Sequence, residues 1–356
     1  MNNESKTALP ADSGKRPANK KIMTYRLALI TVSVILLLMI GLSLSVGRYH
    51  ISFQECWQIV FQSLFSSVEG IEPLSVATVM KLRLPRTVAA VIVGGSLALS
   101  GGTYQSIFKN PMVSPDLLGV SSGACIGAAL AILLDGNSTV IQIMAFATGL
   151  AAVALTTSIP RLIRSESTTV LVLSGVVIGA LMSSIINIIK FVADPDDKLA
   201  EITYWMMGSF ATVTFEDMLP MLPTILIPVA VMLLMRFRLN VLSLGDNEAR
   251  SLGINLRRTR GVFIFCSTLI TASCVCMCGN VGWVGLIIPH IARMLVGADN
   301  KRMLPIALLS GSIFMIIIDV LCRTLSAAEL KLGILTGVIG APFFIFILIK
   351  QHRSLQ

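Results

Sequence analysis

Apolar positions along this chain do not alternate with polar ones. They run in unbroken stretches of roughly 14 to 23 residues, separated by short breaks rich in charge, Pro or Gly. Alternation would predict half-buried strands, whereas continuous runs of ~20 residues match the hydrocarbon thickness of a bilayer when coiled as helices. Lipid offers no partner to backbone N–H and C=O groups, so only helices or a closed barrel can span it, and these runs select helices. Ten helices are predicted, at 27–46, 87–108, 117–134, 140–159, 170–192, 218–235, 262–278, 283–296, 304–322 and 334–349. The eighth is short enough to suit a re-entrant or protein-buried segment as well as a crossing.

Composition sharpens this into an all-α integral membrane protein. Of 356 residues, 54% are hydrophobic and 13% charged, which leaves no room for a large soluble domain. The net charge of +9 is scattered over short loops instead of forming a nucleic-acid-binding stripe, so it is read as a topology signal. Both termini are expected in the cytoplasm, as a disordered tail over 1–26 and a short tail over 351–356, flanking one membrane domain at 27–350. The apolar run after Arg26 is too long for a cleaved signal and is read as a retained helix. With ten crossings, 20 of the 28 basic residues fall inside and eight outside, the latter beside a larger number of acids.

Three of the outer cations, Arg83, Arg86 and Arg323, sit at predicted helix ends. They suit either snorkelling at the interface or docking of an acidic external partner, and Asp319, one turn before Arg323, offers an i,i+4 pair as a third explanation. The longest inner connection, 236–260, carries Leu244, Gly245, Asp246, Glu248, Ala249, Arg250, Leu252 and Gly253. It reads either as a topology-fixing basic loop or as short helices gripped by a cytoplasmic partner.

Chemistry is sparse. No Gly-x-x-x-x-Gly-Lys-Ser/Thr motif occurs, so the chain is not expected to hydrolyse ATP or to be an enzyme. Intramembrane ionisable groups are few: Lys190 beside Asn187, and Asp319. A proton-coupled secondary carrier would carry a deeper cluster, and no inverted repeat is visible. His290, after Pro289, is read as a packed or capping residue rather than a ligand. Seven cysteines fall mostly within apolar runs, and the Cys274, Cys276, Cys278 spacing places them on different helix faces, against a metal site. Gly123-x-x-x-Gly127, Gly175-x-x-x-Gly179 and Gly333-x-x-x-Gly337, with Gly94, Gly95, Gly101 and Gly102, predict tight helix packing.

Several blocks resemble the permease subunits of bacterial ABC importers for ferric siderophores, haem and cobalamin, the FecCD type. They are Lys81-Leu-Arg-Leu-Pro-Arg86 with Gly94, Gly101 and Gln105; Asn110-Pro111 through Gly119; Tyr204 to Phe210; Leu244 to Gly253; and Val284-Gly-Leu-Ile-Ile-Pro-His-Ile-Ala-Arg293, continuing through Asp299 to Gly340-Ala-Pro-Phe343. The resemblance implies a type II ABC importer permease fold, a homodimer around a central path, and alternating access. It further implies two cytoplasmic ATPase subunits that bind the ATP and Mg, with no cofactor in this chain, and an outer substrate-binding protein that delivers an iron chelate, haem or cobalamin. Carried over by position, Arg83, Arg86 and Arg323 become docking residues and 244–253 the ATPase coupling segment. Met206, Met207, Asn187, Pro289 and His290 are expected along the path or its gates. Two positions depart from the family pattern, Asn280 and Lys331 standing where Pro is usual, which predicts freer backbone at both turns.

Overall fold

A computed structural model describes residues 18–65, 70–165 and 167–353. Ten of its helices form the bundle: α1 (Ala18–Ser45), α2 (Leu84–Ile107), α3 (Val120–Leu133), α4 (Ser138–Leu162), α5 (Thr168–Val192), α6 (Leu222–Leu244), α7 (Leu256–Cys278), α8 (Val284–Val296), α9 (Asn300–Thr324) and α10 (Leu332–Arg353), with shorter helices in the connections. Each coincides with one predicted run. Seven helical stretches are long and apolar enough to cross a membrane, and three shorter apolar helices, Val120–Leu133, Val284–Val296 and Leu332–Ile347, complete the ten.

Helix α2 is the centre of the bundle, packed on α9, α8, α7 and α6. Most of its side chains are buried, and its glycines are where neighbours come closest. Short helices are tolerated beside it because protein, not lipid, surrounds them. At 1.5 Å per residue α3 is only ~20 Å long, below the ~30 Å of a bilayer core. Yet Gly123, Ala124, Cys125, Gly127 and Ala128 are buried against α4 and α5. All seven cysteines are buried and unpaired.

Three boundaries differ most from the sequence expectation, each where charge ends an apolar run without ending the helix; the first is α1, which begins at Ala18, inside the tail expected to be disordered over 1–26, and not at 27. The second span begins at Pro73, not near 87, and runs unbroken to Ile107. It passes Pro85 through a π turn over Thr78–Arg83, in which the Leu84 N–H reaches back five residues to the Val79 carbonyl. Pro85 has no N–H for the carbonyl four residues earlier, and widening the turn is how a helix absorbs that loss. Helix α6 likewise continues past Arg236 and Arg238 to Leu244, because Leu239 and Leu242 prolong its buried stripe at helical spacing. The 236–260 loop therefore shrinks to a short helix, Asp246–Ser251, and its flanking turns.

Candidate functional site

One end of the bundle is basic, carrying Arg161, Arg164, Arg236, Arg238, Arg257 and Arg258. The Asp246–Ser251 helix caps it. Ala249 is fully buried and anchors this helix, while Leu244 and Leu252 on either side are about two-thirds exposed, at 67% and 63%. Gly253 (φ +75°) turns the chain into α7 in a left-handed conformation, and its N–H bonds the Arg250 carbonyl at 2.9 Å. Glu248 and Arg250 are exposed, and the side chain of Asp246 lies outside the described residues. Two large apolar side chains are thus presented on a charged, rigidly turned segment as an exposed knob.

Directly behind it runs a polar chain that sequence reading assigned no role. Asn240 of α6 donates to Asp299 (2.6 Å) and accepts from the Asn300 N–H (2.8 Å), while Ser106 of α2 donates to Asn300 (2.7 Å). Arg293 of α8 donates to Gln105 Oε1, and Gln105 Nε2 donates to the Leu286 carbonyl at 3.1 Å. The knob is thus tied through α6 to the first turn of α9, and α2 to α8.

At the opposite end lie Arg83, Arg86 and Arg323, the three arginines expected to dock an outer partner. They are buried, with exposures of 4%, 8% and 5%, and each is used internally. Arg83 donates to the carbonyls of Leu44 and Ser45 at 2.8 Å and to that of Tyr49. Arg323 donates to the carbonyls of Ser43 (3.1 Å) and Val46 (3.3 Å) and to the Ser43 hydroxyl (2.8 Å). Together they satisfy the last three carbonyls of α1, Ser43 to Ser45, and that of Val46 just beyond it, groups that a helix C-terminus leaves orphaned. Arg86 pairs with Asp319 at 2.9 Å and with the partly exposed Glu329 at 3.1 Å. Arg323 also lies 3.1 Å from Asp319 Oδ2, an ion pair without hydrogen-bond alignment. The i,i+4 pair is real, and it is one edge of a larger network. Beside it the Tyr49 hydroxyl donates to Glu72 (2.8 Å), which holds its pKa above the ordinary phenol value.

The chain matches the FecCD transport family over residues 35–350. It belongs to that family. As a FecCD permease it is 36% identical over 331 residues to the molybdate import system permease protein MolB of Haemophilus influenzae, spanning 93% of this chain and 98% of that one. It is 37% identical over 333 residues to a permease protein of Helicobacter pylori described as a probable iron chelatin transport system component, covering 93% and 99%. A solved metal-chelate type ABC transporter in an inward-facing conformation superposes with a TM-score of 0.81 at 36% identity, covering 90% of this chain and 98% of that one. These relatives are transport subunits and not enzymes, and this FecCD chain is an ABC importer permease of the multi-span membrane class.

The expected gate residues fall in different places. Asn187 lies on the exposed face of α5, beside Ser183 and Ser184, whose hydroxyls return to the backbone of the preceding turn. Pro289 is buried within α8 and His290 is partly exposed beside it. Met206 and Met207 end the short helix Lys198–Met206, far along the chain but adjacent to the start of α10. The Met207 carbonyl accepts from Gly333 (2.8 Å), the Gly208 carbonyl from Leu332 (2.9 Å), and Ser209 donates to the Cys278 carbonyl (2.8 Å). Asn280 and Lys331, the two departures from the family pattern, belong to this junction. A Cβ on Gly208 would stand 2.8 Å from the Asn280 carbonyl, and the Lys331 ammonium lies 5.3 Å from the Tyr204 ring. Three inter-element bonds hold the residues next to these two positions.

Proposed function

We propose that this FecCD permease forms the membrane path of an importer for an iron chelate, a ferric siderophore, working by alternating access. Two ATPase subunits that bind ATP and Mg power it from the basic end. The observation that carries the reading is the knob itself: Leu244 and Leu252 exposed on either side of the anchored Asp246–Ser251 helix, at the positively charged end that the positive-inside tendency places in the cytoplasm. A second copy completes the path. The small and polar face of α5, with Ala180, Ser183, Ser184 and Asn187 exposed, suits a path wall better than a lipid contact. The membrane is then the cytoplasmic one, with both termini inside.

Reconstitution in liposomes with the cognate ATPase and binding protein tests this. Leu252→Asp removes an apolar contact at the centre of the knob and is expected to lower ATP-driven uptake at least tenfold, with folded permease unchanged in yield. Uptake that persists without any ATPase would overturn the importer reading in favour of a secondary carrier. For cargo, the 36% identity to a molybdate permease over nearly its whole length sets an oxyanion beside iron chelates, haem and cobalamin. The partner binding protein, titrated with ferric siderophores, haem, cobalamin and molybdate, separates them by affinity.

An outer binding protein with acidic lobes would meet Arg86 only by displacing Glu329, its exposed counter-ion. Glu329→Gln is therefore expected to tighten docking several-fold at low salt, the gain shrinking as salt is raised. Unchanged or weaker association would move the docking surface away from Arg86.

A further inference from the structure

At the basic end, away from the knob and the polar chain behind it, a cavity of about 670 Å³ opens between the last turns of α4, the turn into α5 and the first turns of α7. Its volume lies within the range of organic-ligand sites and far exceeds what an inorganic ion fills. Its lining is graded along the bundle axis. Arg161, Arg164, Arg257 and Arg260 ring the mouth, where the helices end. Leu150, Val153, Ile264 and Phe265 line the depth. Leu150 lies eleven residues before Arg161 on one helix, so charge and apolar floor are separated by roughly 15 Å.

Among the described residues no carboxylate lines the cavity, and Arg161, Arg164 and Arg257 of the mouth make no ion pair there; Glu166, two residues after Arg164, lies outside those residues. The turn that brings these cations together is itself strained, with Arg164 at φ +55°. Ser167, at the start of the 25-residue α5, makes no side-chain cap bond, so the positive end of that helix adds to the field. The floor reaches the outside of the bundle: Phe265 lines the cavity and is 61% exposed, and on the two neighbouring helices of the same wall Leu155, Leu162 and Leu173 are each at least half exposed.

We infer that this cavity binds an anionic phospholipid of the surrounding leaflet, its phosphate held by the arginine ring and an acyl chain laid along the Leu150 to Phe265 floor. A free anion would use the ring and leave the floor empty. An acidic protein segment would likewise have no use for an apolar groove open to lipid. A phospholipid is the ligand whose own polarity follows the gradient of the wall, and basic clefts between helices at a membrane surface favour such head groups. This inference rests on the chain lying in a membrane with this end at its surface, and is independent of the cargo and of the ATPase.

The test is lipid titration of the purified full-length permease by native mass spectrometry, using phosphatidylglycerol, cardiolipin and the zwitterionic phosphatidylcholine. Wild type is expected to bind the two anionic lipids at least tenfold more tightly than phosphatidylcholine. Arg161→Gln, Arg164→Gln and Arg257→Gln should each lower that preference about fivefold, in line with ~1 kcal/mol per surface cation. Ala154→Trp, which fills the cavity below an intact ring, should abolish retention of either anionic lipid. Arg161→Lys, which keeps the charge, should hold most of the binding and guards against a folding artefact, as does an unchanged melting temperature. Equal affinity for anionic and zwitterionic lipids would overturn the assignment. So would full displacement by inorganic phosphate, which would make this a site for a soluble anion. Loss of the preference on adding the ATPase subunit would give the ring to a protein partner, and its loss on dimerisation would give the cavity to the second copy.

Discussion

Asp319→Asn is expected to be the most damaging single substitution in this permease, costing about 3–5 kcal/mol and removing most folded protein at ordinary growth temperature. Asp319 has no solvent exposure and is the one fully buried carboxylate in the network, with Arg86 at 2.9 Å and Arg323 at 3.1 Å. The amide keeps the shape and loses the charge, so two buried guanidinium groups face each other with only Glu329 and carbonyl dipoles as compensation. Separating like charges from water is the costly step, and breaking a buried pair by removing one partner pays it in full. Glu329→Gln is the internal control. Its side chain is one-third exposed, water screens what it leaves, and the expected loss is below ~1 kcal/mol. Melting temperatures of the detergent-purified variants, read by fluorescence-detected size exclusion, give the comparison. An Asp319→Asn protein as stable as Glu329→Gln would mean that the carbonyl cap on α1, not the ion pair, holds this end together.

That network marks the limit of what the chain discloses in one dimension. Ten runs of apolar residues are enough to locate ten helices, because membrane crossing leaves a composition signal over the whole element. Arg83, Arg86 and Arg323 stand out for the same reason, as cations on the less basic side. Their partners are a different matter. Asp319 to Arg323 is visible as one helical turn, but Arg86 to Asp319 spans 233 residues, and the carbonyls of Ser43 to Val46 have no side-chain signature at all. Only the pairing of Arg323 with Asp319 is therefore open to sequence reading; the partners of Arg83 and Arg86 are not. The inner polar chain escaped notice likewise. Gln105, Asn240, Arg293, Asp299 and Asn300 lie in four separate segments and converge only when α2, α6, α8 and α9 pack. Helix ends were misplaced where charge and proline were taken as stops, at Pro85 and Arg236, although buried leucines or a π turn carry the helix through.

The close approach of α2 to α9 supplies the second large effect. Gly94→Ala is expected to destabilise the permease by about 2–3 kcal/mol, with a matching loss from Gly311→Ala. The two glycines face each other across the contact. A Cβ on Gly94 would collide with the Gly311 carbonyl oxygen and reach the Met315 side chain at 2.5 Å, and a Cβ on Gly311 would collide with the Gly94 carbonyl oxygen. Both obstacles include backbone of a packed helix, which yields only by separating the helices. With no hydrophobic drive between helices in lipid, that separation forfeits the contact energy that holds them. Gly102, two turns on, provides the contrast: its Cβ would meet Leu304 Cδ2 at 3.0 Å and the thioether of Met303 at 3.3 Å, both movable side-chain ends. Gly102→Ala should therefore cost less than ~1 kcal/mol. Gly261→Ala, with nothing within 4 Å of the new methyl group, should be neutral or stabilising by ~0.5–1 kcal/mol through helix propensity alone. The ordering of the variants by melting temperature checks the argument, and a Gly94→Ala protein as stable as Gly261→Ala would show that α2 and α9 can part without loss.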